Sequence, residues 1–326
     1  MSFRDIYGHD KQIGILQRAM ARNRVPHAYL FHGIKGIGKR TAAVVFAKAL
    51  NCLEGRKVFD ACDKCSSCLK IVHRNHPDVT IVEAEGQFIK IRDVRDLQNQ
   101  MKFKPFEGGK RIFIIVDADK MNITSANALL KTLEEPSSSN ILILITSRPY
   151  QLPLTILSRC QHLRFNPLQK ETITSFLQVR LSMDSESAMV LASSSGGSIG
   201  KALEMSKDAF LTLRMKILSK LSENRMQDPL VALSFVNAFG KDRGEIIDRL
   251  DILRAFYRDA LVYKETVKME RLINQDHVDI IKSIADRLSG HDILNNIKTV
   301  DWASDAIDQN VNKTLTLEAM TFKIIW

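Results

Sequence analysis

Two nearly continuous apolar runs constrain the fold most strongly: RIFIIVDAD at residues 111–119 and NILILIT at residues 140–146. A strand that faces solvent on one side alternates apolar and polar residues, so runs without alternation predict strands buried on both faces. SANALLKTLEE, at residues 125–135 between them, has the pattern of a helix and is followed by Pro136. Buried strands separated by helices predict an α/β fold with a parallel sheet covered on both sides.

The same alternation extends over the first 165 residues. Further strands are predicted at 27–33, 78–85 and 161–165, and further helices at 40–52 and 91–101. A boundary is predicted at NPLQ, residues 166–169, because the pattern beyond it predicts only helices. We therefore predict three domains. They are an α/β sheet domain at 1–166, a small helical domain at 167–207 and a helical bundle at 208–326.

A glycine-rich turn, GIKGIGKRT at residues 33–41, leads from the first of these strands into a helix. Its G-x-x-x-x-G-K spacing matches a phosphate-binding loop, whose backbone N–H groups and lysine contact phosphates. The pattern next requires a Ser or Thr hydroxyl for Mg²⁺, but Arg40 stands there and has no lone pair for a metal. The candidate nucleotide-binding residues, whether working or vestigial, are Gly33, Gly36, Gly38, Lys39, Thr41 and Asp117.

The residue that would orient the attacking water in an ATPase site also departs from the pattern. Asp117 lies near the end of a predicted strand, where it could meet a Mg²⁺ shell, but the adjacent position, which requires a carboxylate for hydrolysis, is Ala118. Asp119 follows one residue later, and its side chain is expected to face the other way. Defects at both the metal and the water position predict a site that does not hydrolyse ATP. Binding of ATP or ADP is left open.

Four of the five cysteines are closely spaced. Their positions are Cys52, Cys62, Cys65 and Cys68. Four thiolates from one short segment match a tetrahedral structural zinc site. An iron–sulfur cluster is the main alternative, although the C-x₃-C-P continuation of ferredoxins is absent, and free thiols are the third. His73 and His76 lie close by and could replace a cysteine, although surface histidines are the simpler interpretation.

The composition is that of a soluble protein. No apolar run approaches the roughly 18 residues that span a bilayer. The first ten residues, MSFRDIYGHD, lack the apolar core of a secretory signal, which predicts a cytoplasmic location. The net charge is +10, and residues 1–110 carry 20 Lys and Arg against 11 Asp and Glu. This surplus favours a phosphate-rich partner or forms a solvated basic face.

Several segments together resemble the clamp-loader branch of the AAA+ ATPases. They are HAYLFHGIKGIGKRT (27–41), ANALLKTLEEP (126–136), LPLTILSRC (152–160) and NVNKTLTLEAM (310–320). An ATP-hydrolysing bacterial member would have Thr at position 40, Glu at position 118 and an arginine in the segment that reads GSIGKALEM here. Gly200 stands at the position of that arginine.

The motif Ser158-Arg159-Cys160 is retained although the hydrolytic positions are lost. This combination is similar to the non-hydrolysing subunits of the bacterial DNA polymerase III clamp loader. The resemblance implies an AAA+ sheet domain with a zinc module, a helical lid and a helical collar domain. It also implies an arginine finger, Arg159, that acts in trans on a nucleotide held by a neighbouring subunit.

The same resemblance implies the partners. The chain would be a rigid stator in a hetero-pentameric ring with ATPase subunits and a clamp-opening subunit, which loads the sliding clamp onto primed DNA. No membrane would be involved. Two alternatives stay open. One is an active clamp-loader ATPase that uses Thr41 and Asp119 as shifted substitutes, and the other is an AAA+ protein of recombination or remodelling.

Overall fold

The computed structural model describes residues 1–54, 59–84, 86, 88–107, 109–207, 210–222, 235–240 and 242–325. The chain divides into two compact units. Unit 1 is Met1–Phe176 with Gly197–Lys201, and unit 2 is Leu177–Gly196 with Ala202–Trp326. The predicted domain boundaries after residues 166 and 207 stay a prediction.

Unit 1 is built around a five-stranded parallel sheet with the strand order β2-β3-β4-β1-β5. The strands are β1 (Ala28–His32), β2 (Val79–Val82), β3 (Arg111–Ile115), β4 (Asn140–Thr146) and β5 (Gln161–Arg164). In the register of the sheet, Tyr29 of β1 lies opposite Ile143 of β4 and Gln161 of β5. The predicted parallel sheet is confirmed, and the glycine-rich turn after β1 lies between the carboxyl ends of β4 and β5.

Alternate residues of the strands bury opposite faces of the sheet. Tyr29, Phe31 and Ile114 pack into one apolar core, and Leu30 and Phe113 pack into another. At most 1% of the surface of any of these side chains is exposed. Because both faces of the sheet are covered, the strands need apolar residues at successive positions, which explains the runs that lack alternation.

Helices alternate with the strands of unit 1. Their bounds are α1 (Asp10–Ala21), α2 (Lys39–Asn51), α3 (Ser66–Val72), α4 (Ile91–Met101), α5 (Ile123–Glu134) and α6 (Leu154–Leu157). α5 begins two residues before its predicted start. The side chain of Asn122 accepts a hydrogen bond from the backbone N–H of Ser125, and this cap explains the earlier start.

The described part of unit 2 contains helices and no strand. The helix α7 (Lys170–Leu181) leads into it. The helices that follow are α8 (Ser185–Ser194), α9 (Ile199–Lys207), α10 (Phe210–Ser222), α11 (Arg243–Thr266), α12 (Val278–Arg287), α13 (Gly290–Asp308) and α14 (Lys313–Lys323). The predicted helical character of the chain beyond the sheet is confirmed for the residues that the structure describes there. Within the described ranges, no helix has the length and apolar character needed to span a bilayer.

A buried polar network joins three helical segments of unit 2. The guanidinium of Arg214, on α10, donates to Asp276 at 2.5 Å and to the side-chain oxygen of Asn274 at 2.8 Å. Asn274 in turn donates to the carboxylate of Asp259, which is fully buried on α11. Each buried charge is therefore hydrogen-bonded, as burial in a helical core requires.

Candidate functional site

The predicted phosphate loop occupies residues 33–38, between β1 and α2. Gly36 and Gly38 have φ angles of 74° and 102°, a conformation that glycine adopts without steric cost. Gly38 is the N-cap of α2, so the free N–H groups of the first helical turn lie directly beside the loop. The chain therefore forms the strand, turn and helix arrangement that the sequence predicts.

Lys39 turns back into its own loop. Its Nζ donates hydrogen bonds to the carbonyl oxygens of Gly33 and Ile34, at 2.6 and 2.7 Å. Burial lowers the pKa of Lys39 to about 8, although the carboxylates of Asp117 and Asp119 act in the opposite direction. The ammonium group that would contact nucleotide phosphates is thus already hydrogen-bonded within the loop.

Arg40 occupies the position of the missing metal ligand. Its guanidinium forms an ion pair with Glu83, the residue that follows β2. Arg74 lies 3.7 Å from the same carboxylate. Thr41 follows Arg40 in the first turn of α2 and is half-buried. Position 40 therefore binds a neighbouring acid and offers no oxygen to Mg²⁺.

The acidic residues after β3 have neighbours of their own. Asp117 adopts a left-handed conformation with φ 52°, and its carboxylate lies 3.0 Å from Nζ of Lys120. Ala118 is fully buried and has no polar side-chain group to orient a water molecule. Asp119 accepts a hydrogen bond from the hydroxyl of Thr146 at the end of β4. This hydrogen bond directs one carboxylate oxygen of Asp119 towards Thr146.

A segment distant in sequence covers the phosphate loop. The hydroxyl of Ser198 donates to the carbonyl oxygen of Lys35 at 2.9 Å, and the N–H of Gly200 donates to the carbonyl oxygen of Gly36 at 2.8 Å. We call these two contacts the clasp. A Cβ atom at position 200 would lie 2.8 Å from the Cα and carbonyl oxygen of Gly36, closer than real Cβ atoms approach. An arginine at position 200 is therefore incompatible with the clasp.

Sequence reasoning identified Gly200 as the site of a missing arginine but did not identify the clasp. Lys35 and Ser198 are 163 residues apart in the chain, and no local pattern reports their contact. The glycines and serines of SSSGGS, at residues 193–198, were the available signal, because they permit a backbone to approach another closely.

The four closely spaced cysteines converge, as the sequence predicts. The sulfur atoms of Cys52, Cys62, Cys65 and Cys68 all lie within 4.8 Å of one another. The distance between the sulfurs of Cys52 and Cys65 is 4.0 Å. A tetrahedral zinc ion with Zn–S bonds of about 2.3 Å would separate its sulfurs by about 3.8 Å, so the cluster has the size of a zinc site.

The surroundings of the sulfurs also suit a cation. Burial raises the pKa of Cys65, but hydrogen bonds, first among them one from the backbone N–H of Cys68, outweigh this effect and lower it to about 7. Burial raises the pKa of the Cys68 thiol well above its usual range. A metal ion would supply the positive charge that a buried Cys68 thiolate requires.

The neighbouring histidines are not part of this cluster. The backbone N–H of Asp78 donates to Nδ1 of the buried His76, and Nε2 of His76 lies 3.1 Å from the hydroxyl of Ser67. Both ring nitrogens of His76 are thus occupied. His73 caps the end of α3 and is exposed. Within the described residues, the candidate ligands are the four cysteines that the sequence predicts.

Buried and exposed charges anchor the cysteine segment to the rest of unit 1. The side chain of Lys48, on α2, forms an ion pair with Asp63 and is almost fully buried. The amino group of Met1 lies 2.8 Å from the same carboxylate. The backbone N–H of Phe3 donates to the carboxylate of Asp60 at 2.9 Å. The segment therefore fastens the start of the chain to the helix that follows the phosphate loop.

Arg159 lies in the turn between α6 and β5. One of its terminal nitrogens is 2.9 Å from the carboxylate of Glu134, the last residue of α5. The other donates to the carbonyl oxygen of Thr155 at 3.0 Å. The side chain remains 36% exposed. By contrast, Cys160 is half-buried, and burial raises its pKa to about 12.

Large apolar side chains are exposed just before Arg159 in the chain. Tyr150 and Leu154 are 78% and 81% exposed. Leu154 is the first residue of α6, whose last turn leads directly to the arginine. Exposed aromatic and apolar side chains of this kind are available for contact with another protein.

Comparison with known proteins gives a consistent result. Residues 8–169 match the family described as DNA polymerase III, delta subunit, and residues 208–324 match the family described as DNA polymerase III, delta subunit, C terminal. The chain is 35% identical over 303 residues to the DNA polymerase III subunit delta' of Bacillus subtilis, a match that covers 91% of this chain and 90% of that protein.

Other relatives are matched over a smaller share of their length. The chain is 30% identical over 302 residues to the DNA polymerase III subunit tau of Bacillus subtilis, which covers 85% of this chain but 53% of tau. Among solved structures, a gamma-subunit-related protein of Thermotoga maritima is 19% identical, with a TM-score of 0.41, over 95% of this chain and 97% of that one.

Proposed function

Because the chain belongs to the DNA polymerase III delta' family of clamp-loader subunits, we propose that it is the non-hydrolysing stator of its complex. In this proposal it supplies Arg159 to a neighbouring ATPase subunit. The observation that carries the proposal is a contrast within unit 1. Lys39 and the clasp hydrogen-bond to carbonyl oxygens of the phosphate loop, whereas the side chain of Arg159 is 36% exposed.

The proposed loss of hydrolysis has three physical causes. Arg40 offers no ligand to Mg²⁺, Ala118 offers no base to orient water, and Gly200 carries no arginine to contact a phosphate. Nucleotide would also have to draw Lys39 away from two carbonyl oxygens before its Nζ could contact a phosphate. We therefore propose that Gly33, Gly36, Gly38, Lys39, Thr41 and Asp117 are a vestigial site with weak or no affinity for ATP and ADP.

The proposed role of Arg159 is electrostatic. A guanidinium forms charge-assisted, bidentate hydrogen bonds with phosphate oxygens and stabilises the charge that develops during phosphoryl transfer. An arginine that acts on a partner's nucleotide requires no working site in its own subunit. This explains how the chain could retain Arg159 although its own site is proposed not to hydrolyse ATP.

The proposed metal is a structural zinc ion held by Cys52, Cys62, Cys65 and Cys68. Four protein ligands leave no open coordination position, so the ion would stabilise the segment between α2 and α3 and take part in no reaction. Its proposed effect is to hold Asp60 and Asp63 in place for the start of the chain and for Lys48.

We propose partners from the same family. The neighbours in a hetero-pentameric ring would be ATPase subunits of the tau and gamma type and a clamp-opening subunit, and the complex would act on the sliding clamp and primed DNA in the cytoplasm. Unit 2 would supply collar contacts, while Tyr150 and Leu154 would contact the ATPase subunit that receives Arg159.

The test is clamp-stimulated ATP turnover of the reconstituted complex with Arg159→Ala. Size-exclusion chromatography of the mixed subunits first checks that the variant still assembles. We expect turnover to fall about tenfold or more, because arginines that act in trans contribute at least that much in related sites. Arg159→Lys keeps the charge without the bidentate fork and should recover only part of the rate. Unchanged turnover in an assembled complex would remove the arginine finger from the proposal.

A second candidate function, an active ATPase that uses Thr41 and Asp119, receives less support. Asp119 already accepts a hydrogen bond from Thr146, and Thr41 lies one residue beyond the ligand position. An AAA+ remodelling protein would assemble with other partners, so failure to co-elute with clamp-loader subunits would favour it.

A further inference from the structure

The ion pair between Arg159 and Glu134 points to a device that regulates the proposed arginine finger. The pair joins the last residue of α5 to the turn after α6. With Glu134 on one terminal nitrogen and Thr155 on the other, both ends of the guanidinium fork have partners within the chain. Arg159 can engage a phosphate in bidentate fashion only after it has released at least one of them.

The position of Glu134 within its helix is a second observation. A carboxylate in the last turn of a helix lies beside the negative end of the helix dipole, where negative charge is unfavourable. Glu134 and Glu135 both lie at this end of α5. Among the described residues, Arg159 is the ion-pair partner of Glu134, whereas Glu135 has none. The contact with the Arg159 guanidinium therefore offsets the unfavourable position of the Glu134 charge at this helix end.

The strength of the contact decides what it can do. Glu134 is 51% exposed and Arg159 is 36% exposed, so solvent screens the pair. Pairs of this kind bias an equilibrium by about fivefold or less. A nucleotide phosphate carries more negative charge and can accept both nitrogens of the fork, so it can displace the carboxylate. The ion pair is therefore strong enough to orient the Arg159 guanidinium and weak enough for a phosphate to displace Glu134.

We propose that Glu134 is a positioning residue that engages the guanidinium of Arg159 within the chain until the neighbouring nucleotide displaces it. This inference rests on the proposed arginine finger. Glu134 competes with the phosphate for the guanidinium, and its charge repels an approaching γ-phosphate. It therefore lowers the fraction of complexes in which Arg159 engages a nucleotide, particularly at low ATP concentration.

The test compares kcat and KM for ATP in reconstituted complexes that contain Glu134→Gln or Glu135→Gln. Glu134→Gln should raise kcat/KM about two- to fivefold, because the competing charge is removed while a side chain of the same size remains. Glu134→Asp keeps the charge but is one methylene shorter, so its increase should be smaller. Glu135→Gln, the matched control at the adjacent exposed position, should leave kcat/KM unchanged. The difference between Glu134→Gln and the unmodified protein should shrink at high salt, which screens the exposed pair.

The double variant Glu134→Gln/Arg159→Ala separates failure of this inference from failure of the proposed function. If Glu134 acts only through Arg159, the double variant should have the same kcat/KM as Arg159→Ala alone. If Arg159→Ala lowers turnover but Glu134→Gln leaves kcat/KM unchanged or lowers it, the inference is wrong and the arginine finger stands. If Arg159→Ala changes nothing, the proposed function itself fails. Thermal unfolding of each isolated chain checks that these exposed substitutions preserve the fold.

Discussion

At position 200, the structure leaves no room for a side chain. The sequence alone suggests the simple loss of an arginine that would contact nucleotide. The structure adds that Gly200 hydrogen-bonds to the backbone of Gly36 and that no Cβ atom fits between them. Gly36 itself has a φ angle of 74°, and a Cβ there would lie 2.6 Å from the hydroxyl of Ser198. Two glycines thus allow two backbone segments to touch.

We predict that Gly200→Ala destabilises unit 1. Position 200 lies in α9, where alanine is intrinsically better than glycine, so propensity alone would raise the free energy of unfolding. Overpacking against Gly36 should dominate and lower it by about 1–3 kcal/mol. Denaturant unfolding of the full chain measures the difference.

The matched control for this substitution is Gly14→Ala. Gly14 lies inside α1 in the same unit, and a Cβ there meets nothing within 4 Å. Its effect should be neutral or stabilising by up to about 1 kcal/mol. Equal effects at the two positions would mean that the clasp does not constrain Gly200.

At the scale of an element, the described residues between Cys52 and Cys68 are organised by their four clustered cysteines more than by an apolar core. The cluster of these cysteines with Ala61 is small, and charged contacts fasten it to α2 and to the start of the chain. A segment of this kind usually depends on its metal for a fixed conformation.

We predict one zinc ion per chain in protein purified without added metal, measured by elemental analysis. Chelation should increase protease cleavage and amide hydrogen exchange between residues 52 and 68, because metal binding and local folding are coupled. Cys68→Ser should abolish zinc retention, whereas Cys160→Ser, the control outside the cluster, should retain it. Iron with visible absorbance, or reduced cysteines without any metal, would contradict the prediction.

Elements with strong local patterns were predictable from the sequence, and contacts between distant segments were not. The apolar runs that form β3 and β4 could be predicted as strands, because burial on both faces requires apolar residues throughout. The cysteine cluster could be predicted because its four cysteines lie close together in the sequence. The clasp on Lys35 and the partner of Arg159 depend on how helices and strands pack, and a surface pair such as Arg159 with Glu134 leaves no periodic signal.

At the scale of the whole chain, the proposed function assigns ATP hydrolysis to a partner subunit and the activation of that hydrolysis to this chain. We predict that the purified full-length chain hydrolyses ATP no faster than the buffer background, with an ATPase subunit of the complex as the positive control. Lys39→Ala should change nothing, since Lys39 is engaged with the carbonyl oxygens of its own loop. Turnover that disappears with Lys39→Ala would show that the loop does work as an ATPase.

The clasp also bears on how such a chain can evolve. In the proposed non-hydrolysing subunit, a gain of hydrolysis would require a hydroxyl at position 40, a carboxylate at position 118 and an arginine at position 200, and the last of these clashes with Gly36. Each change alone would bring no benefit, and the third would first cost stability. If the chain is the non-hydrolysing subunit proposed above, contact between two glycine backbones makes a gain of hydrolysis by single substitutions difficult, because one of the required substitutions also lowers stability.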